Sequence, residues 1–421
     1  MTVAPAKRAA LGFIFVTVLL DMMALGLIVP VLPRLVASFL GGDSGSASRM
    51  VGLFAASWAT MQFFCSPLLG LLSDRFGRRP VILLSNLGLG LDYVVMAMAP
   101  TLTWLFVGRV LAGITSASVS TAHAYISDVT PSEKRAGAFG LLGAAFGIGF
   151  VLGPALGGWL GATNPRLPFW CAAAFSLANA CYGFFILPES LPAERRQPTL
   201  RLEDANPVGS LRLLKSHPEL IGLATVNFLG YVAHEIYATV FVLYAMYRYH
   251  WGERMIGISL AIVGIASMII SGGLVRMAVA RFGERRCLFA GLLLGAVGFA
   301  MFGWAPTSTI FLLAIPINCL WALAGPPSTS MMTRRVSPSE QGELQGAIGS
   351  VRSMAMIVGP VIFGYVYATF IDPRRAVIVP GAPWYLAGAL LLVAMAVARA
   401  VVPRRDNLGP ARSEMAEAQA G

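Results

Sequence analysis

An all-α membrane protein, twelve transmembrane helices in two pseudo-symmetric six-helix bundles, is the fold class this sequence predicts. Three observations carry it: a composition too apolar for water, twelve apolar runs of spanning length, and punctuation that recurs at a fixed offset. Of 421 residues, 57% are apolar and 12% charged, against roughly half and a quarter in soluble domains. A water-soluble chain of this length has too little interior to hide that much apolar surface, and the same figures exclude disordered and collagen-like chains. The 45 Gly and 26 Pro sit within apolar stretches, which membrane helices tolerate better than soluble ones.

A hydrocarbon core about 30 Å thick needs about 20 mostly apolar residues per helix. Such runs fall at 9–34, 50–72, 81–99, 102–126, 137–161, 168–187, 219–247, 254–280, 287–305, 308–330, 343–371 and 383–402, numbered here as segments 1 to 12. Lys7 and Arg8 precede the first run, which is too long for a cleavable signal and reads as a spanning helix. The loops set orientation. Twenty Lys and Arg, Arg75, Arg78, Arg79, Lys134, Arg135 and Arg334 among them, lie on one side against six on the other, which places both termini in the cytoplasm beneath an inner (plasma) membrane. The net charge of +11 is therefore an orientation signal, and no nucleic-acid partner is expected. None of the five cysteines forms a Cys-x-x-Cys pair, so neither a disulfide framework nor a metal site is expected.

The predicted organisation is a first bundle over 1–187, a cytoplasmic linker over 188–218, a second bundle over 219–402 and a cytoplasmic tail over 403–421. The linker opens with Pro188-Glu189-Ser190 and carries an amphipathic turn around Leu211, Leu213 and Leu214 suited to the membrane surface. The halves repeat each other. Arg75-Phe76-Gly77 returns as Arg281-Phe282-Gly283, Ala99-Pro100 as Ala305-Pro306, and Gly153-Pro154 as Gly359-Pro360, each 206 residues on; Pro131-Ser132-Glu133 returns as Pro338-Ser339-Glu340 at 207. Two parallel six-helix repeats are the build of alternating-access transporters.

Ionisable groups at membrane depth come next, because placing one at a helix centre costs about 2.5–3.5 kcal/mol. Asp21 lies midway along segment 1, Asp92 in segment 3, Arg109 and His123 in segment 4, His234 and Glu235 in segment 7, and Arg352 in segment 11. Such groups either glue helices together or serve function. A carboxylate in apolar surroundings is a usable proton carrier and an imidazole titrates near physiological pH, which makes Asp21 and Glu235, with His234 assisting and Asp92 and Arg109 beside them, the proton-coupling candidates. Adjacent helical residues point about 100° apart, so His234 and Glu235 cannot both face one cavity, and the carboxylate is preferred. Gln62, Phe146, Asn227, Tyr231, Asn318, Trp321 and Arg352 offer the stacking faces and hydrogen bonds that an amphipathic organic molecule would need.

Two motifs remain. The loop after segment 2 reads Gly70-Leu71-Leu72-Ser73-Asp74-Arg75-Phe76-Gly77-Arg78-Arg79-Pro80, and its arginines hold the cytoplasmic side. Segment 5 carries Gly149-x-x-x-Gly153-Pro154-x-x-Gly157-Gly158; glycines four apart share one helix face and permit close packing, while proline bends the rod. No Gly-x-x-x-x-Gly-Lys-Ser/Thr loop is present, so an ATP-driven pump is not expected. No cofactor and no enzymatic site are expected either.

The loop motif resembles the Gly-x-x-x-Asp-Arg-x-Gly-Arg-Arg signature of the major facilitator superfamily, and the segment-5 motif resembles that of its drug–proton antiporters. Leu20-Asp21, Met61-Gln62-Phe63, Leu91-Asp92-Tyr93, Gly108-Arg109 through Thr115, Tyr125-Ile126-Ser127-Asp128 and Gln341-Gly342-Glu343-Leu344-Gln345-Gly346 extend the similarity to the tetracycline-efflux branch across nearly the whole chain. The resemblance implies a major facilitator fold exporting a small amphipathic compound against protons, with Asp21, Asp92 and Arg109 essential, Ser73 and Asp74 in the gate, and Asp128 supporting it. Three departures stand out. Ala280 replaces the acid in the second copy of the loop. The stretch Leu294-Gly295-Ala296-Val297-Gly298 lacks the family's ninth-helix carboxylate. Glu235 stands where a glutamine is expected, so the proton site is expected to have moved there. A proton-coupled importer and a lipid-handling protein share this fold and stay open. The expected partners are a small-molecule substrate, protons and the lipid bilayer, and a monomer is expected.

Overall fold

Helices account for every regular element of the computed structural model, which describes residues 5–131, 134–197, 206 and 209–402. Ser132 and Glu133, part of the linker and the expected tail over 403–421 lie outside the described residues. Among the described residues, eleven helices are long and apolar enough to cross a membrane, and a helix pair bent by 52° makes a twelfth if it is one span.

The chain forms two compact units, residues 1–207 with 250–261, and residues 208–249 with 262–421. The first unit holds α1 (Pro5–Ile28), α2 (Leu32–Phe39), α3 (Ser44–Phe76), α4 (Arg78–Met98), α5 (Leu102–Thr115), α6 (Ser118–Val129), α7 (Arg135–Thr163) and α8 (Leu167–Ile186). The second holds α9 (Arg212–Ser216), α10 (Pro218–His234), α11 (Ile236–Thr239), α12 (Phe241–Tyr249), the later half of α13 (Glu253–Ile269), whose residues up to Ala261 belong to the first unit, then α14 (Val275–Phe282), α15 (Glu284–Trp304), α16 (Ser308–Cys319), α17 (Gly325–Thr333), α18 (Gln341–Phe370) and α19 (Ala382–Val401). Segment 1 is broken between α1 and α2, where Pro30 lacks an N–H and Pro33 opens the new helix. Segment 4 is interrupted at Ser116–Ala117, segment 8 by a π turn over Ile270–Leu274, and segment 10 by a 3₁₀ turn over Leu320–Leu323. Segment 7 bends at Val240, one residue after Thr239 donates its hydroxyl to the Glu235 carbonyl at 3.0 Å, a back-bond that tilts helices.

Local chemistry sets the ends. Asp43 caps α3 by accepting from the Gly45 and Ser46 N–H groups at 3.0 and 3.2 Å, as an N-cap should. Hydrogen bonding from the Ser46 side chain, reinforced by those N–H groups, holds its carboxyl below the ordinary 3.8. Gly77 and Gly283 end α3 and α14 with φ of +105° and +81°, which favours glycine at both corners. In the first unit Phe13, Ile14, Val18, Ile82, Tyr125 and Leu142 pack into one buried cluster. In the second, fully buried Trp384 meets Phe302 at 5.1 Å and Tyr244 at 5.7 Å.

Candidate functional site

The first unit carries three of the ionisable groups on adjoining helices. Asp21 on α1 is 5% exposed; Asn179 of α8 donates to its Oδ1 at 3.2 Å, and its Oδ2 has no partner among the described residues. Asp92 on α4, 1% exposed, accepts from Arg109 Nη2 at 3.1 Å, and the same nitrogen reaches Met96 Sδ at 3.0 Å. Gly108 is what lets them meet: a Cβ there would lie 2.6 Å from Asp92 Oδ1. Tyr93, also buried, lies within electrostatic range of Asp21, Asp92 and Arg109 together. On α7, Gly149, Gly153 and Gly157 all face α1. A Cβ on Gly153 would stand 2.8 Å from the Gly26 Cα, and one on Gly157 would strike the Leu27 carbonyl. Pro154 lies inside the unbroken α7, and Gly158 turns to the first turns of α13, where it meets Gly257 and Glu253. Arg34 forms an ion pair with Glu253, which is nearly fully buried. Gln62 donates to Ser116 Oγ at 3.0 Å, beside the break in segment 4, and Phe146 packs half-buried against the α1–α6 cluster.

The loop motif folds around one guanidinium. Arg78 donates to Ser73 Oγ at 2.7 Å, to Asp74 Oδ1 at 2.5 Å and to Asp128 Oδ2 at 3.1 Å. Arg75 stacks over Phe76, Arg79 reaches the Phe184 carbonyl, and Gly70 faces open space. Sequence reading missed the linker's share. Glu189 accepts from the N–H groups of Arg78 and Arg79 at 2.8 and 3.2 Å, so a carboxylate from 111 residues away caps α4. Any side chain at Gly77 would strike it. Ser190 donates to Asp128 at 3.0 Å, and the Gln197 N–H donates to the Asp74 carbonyl at 3.1 Å. The first linker residues are therefore part of the loop cluster, and a charged residue beside two prolines was the only sequence sign.

His123 also lies in the first unit, its ring stacked on Phe139 at 5.6 Å, and the second unit holds His234, Glu235 and Arg352. Glu235 sits between α10 and α11 with its Cβ and Cγ against Gly359, so the Gly359-Pro360 copy of the segment-5 motif makes room for it. His234 is exposed, its ring 5.8 Å from Trp321 and 5.6 Å from Tyr237. Arg352 on α18 is exposed over the Tyr231 ring at 5.9 Å, and its charge acts on both His234 and Glu235. Asn227 accepts from Ser328 at 2.7 Å, while buried Asn318 accepts from Tyr237 and donates to the Gly295 carbonyl at 3.2 Å. In α15 the charged residues are Glu284, Arg285 and Arg286, all in its first turn, and no acid lies deeper. Glu284 is held by Arg334 and Ser330.

Carboxylates paired or half-paired at membrane depth, in a chain of two matching halves, are the build of a secondary transporter. The sequence profile described as Major Facilitator Superfamily matches residues 14–360 and 223–420, and the chain belongs to that superfamily. Among curated relatives, the class C tetracycline resistance protein of Escherichia coli is 39% identical over 93% of this chain and 96% of its own length. The class E protein of the same organism is 35% identical over 93% and 94%, and multidrug resistance protein 2 of Bacillus subtilis is 29% identical over 82% and 85%. Among solved structures, the human organic anion transporter MFSD10 aligns with a TM-score of 0.68 and 25% identity over 94% of this chain and 100% of its own. An inward-facing bacterial homologue of the human lysosomal transporter Spinster aligns at 0.76 and 16% over 97% and 100%.

Proposed function

We propose that this protein exports a tetracycline-like amphipathic compound in exchange for protons, by alternating access. The carrying observation is the similarity over nearly the whole chain to tetracycline resistance proteins, in a sequence that also keeps Asp21 buried with one carboxylate oxygen free. In this reading Asp21 takes a proton from outside and delivers it inside, while the Asp92–Arg109 pair keeps a compensated charge beside it. Glu235 serves as the second proton carrier in place of the absent ninth-helix acid, with Arg352 as its nearby charge. One proton crossing 100 mV supplies about 2.3 kcal/mol, enough for roughly fortyfold accumulation of an uncharged solute at about 1.4 kcal/mol per tenfold. Arg78 and its acceptors steady the cytoplasmic loop, the glycines of α7 let α1 pack closely, and Gln62, Phe146, Asn227, Tyr231, Asn318, Trp321 and Arg352 shape the cargo site. The chain works as a monomer in the inner membrane with both termini in the cytoplasm.

Proteoliposomes with an imposed pH gradient, offered tetracycline and a panel of amphipathic drugs, test the reading. Uphill movement of a drug that stops when the gradient is collapsed is expected. Flux indifferent to pH, or proton-driven movement in the same direction as the proton, overturns it; the latter would make the chain an importer. Glu235→Gln should abolish the pH dependence of flux, and undiminished coupling in that variant would remove Glu235 from the mechanism.

A further inference from the structure

Applying the 206-residue repeat to the loop cluster exposes a pair that identity alone hides. Arg78 corresponds to Glu284 and Asp128 to Arg334, so the same two positions carry the same charges exchanged. The contact is kept. Arg78 Nε meets Asp128 Oδ2 at 3.1 Å in the first unit; in the second, Arg334 Nη1 and Nη2 meet Glu284 Oε1 and Oε2 at 2.9 and 2.5 Å, a two-pronged bridge. Each bridge joins the first residue of the helix after the loop to the end of the next span, and each follows a glycine of positive φ.

The surroundings have switched to suit. Ser73 and Asp74, which accept from Arg78, correspond to Val279 and Ala280. An acid at 280 would repel Glu284, so the missing aspartate of the second loop is a consequence of the exchange rather than a loss. Ser330 instead donates its hydroxyl to Glu284 Oε1 at 2.7 Å. A helix N-terminus carries about half a positive charge, which disfavours Arg78 there and favours Glu284. The first unit accordingly borrows Glu189 of the linker to receive the α4 N–H groups, whereas α15 carries its own carboxylate in the first turn. Glu284 is 5% exposed, and a charge that buried is kept only when compensated.

We propose that Glu284, Arg334 and Ser330 form a charge-reversed clamp that positions the second cytoplasmic loop for the transport cycle. The role rests on the transport reading above; the clamp itself does not. Cys287, one turn beyond Glu284, is a buried free thiol and reports on release of the start of α15. In a background with Cys65, Cys171, Cys181 and Cys319 replaced by serine, a water-soluble maleimide is applied to the parent, E284Q, R334Q and the E284R/R334E exchange. Each single variant should be alkylated at Cys287 at least about tenfold faster than the parent, and the exchange should return to within about threefold, because R334Q strands the buried Glu284 charge and E284Q removes the carboxylate from the first turn of α15. Equal rates throughout, or an exchange as fast as the singles, overturns the clamp. Should a single variant be recovered only as aggregate, the exchange decides alone: folded, protected protein supports the clamp and aggregate overturns it. In proteoliposomes the singles should lose maximal drug flux while keeping the half-saturating concentration, and the exchange should regain it. A shifted half-saturation at unchanged maximal flux overturns the positioning role. A parent chain without pH-driven flux refutes the transport reading, and the alkylation rates still decide the clamp.

Discussion

A buried carboxylate with one free oxygen and a buried carboxylate locked to arginine call for different treatment. Asp21 accepts from the Asn179 amide on Oδ1, with the Ser118 hydroxyl nearby, so Asp21→Asn keeps the shape and removes the proton. Gradient-driven flux should fall at least about a hundredfold, the scale on which losing a proton-transfer group is felt. Drug exchange at equal pH should persist, and retained gradient-driven flux would dismiss Asp21 as a carrier. Arg109 instead compensates Asp92. Arg109→Leu should cost about 3–5 kcal/mol by stranding a charge, and Asp92→Asn combined with Arg109→Gln should cost less; thermal unfolding in detergent ranks them. These residues were legible because a charge in an apolar run has no ordinary reason to be there. Glu189 was not, since it sits in a polar linker where acids are common and its partners lie over a hundred residues away.

Among the elements, α7 shows what spacing can and cannot tell. Glycines four apart announced one close-packed face, and that face meets α1; nothing in the spacing named the partner of Gly158, which is the start of α13. Gly158→Val should force these helices apart, lowering stability by about 1–3 kcal/mol as overpacking does. An unchanged melting temperature would contradict the contact. The α3 cap is a smaller effect. Asp43→Ala should cost about 1 kcal/mol and Asp43→Asn much less. Because hydrogen bonding lowers the folded-state pKa of Asp43, its contribution is present above the ordinary 3.8 and is lost as pH falls through the folded value. The melting difference between wild type and Asp43→Ala should therefore shrink only in strong acid. Segments 1, 4, 7, 8 and 10 were legible as spans but not as broken ones. Apolar run length is blind to the proline break at Pro30 and to the back-bond from Thr239, which set the interruptions of segments 1 and 7.

For the molecule as a whole, composition and loop charge were enough for the membrane class, and the recurrence of Arg-Phe-Gly, Ala-Pro and Gly-Pro was enough for the repeat. Likeness between the halves does not reveal a pair with opposite signs: an interaction survives exchange of its partners although neither residue does. The capping of α4 by Glu189 also bears on how the polypeptide can be divided. A fragment stopping at Leu187 leaves behind the carboxylate that seats on its own helix, while one running to Gln197 brings it along with the backbone N–H that bonds the Asp74 carbonyl. Expressed from two separate genes, only the longer N-terminal piece should accumulate in the membrane, and immunoblots of the two versions would tell them apart.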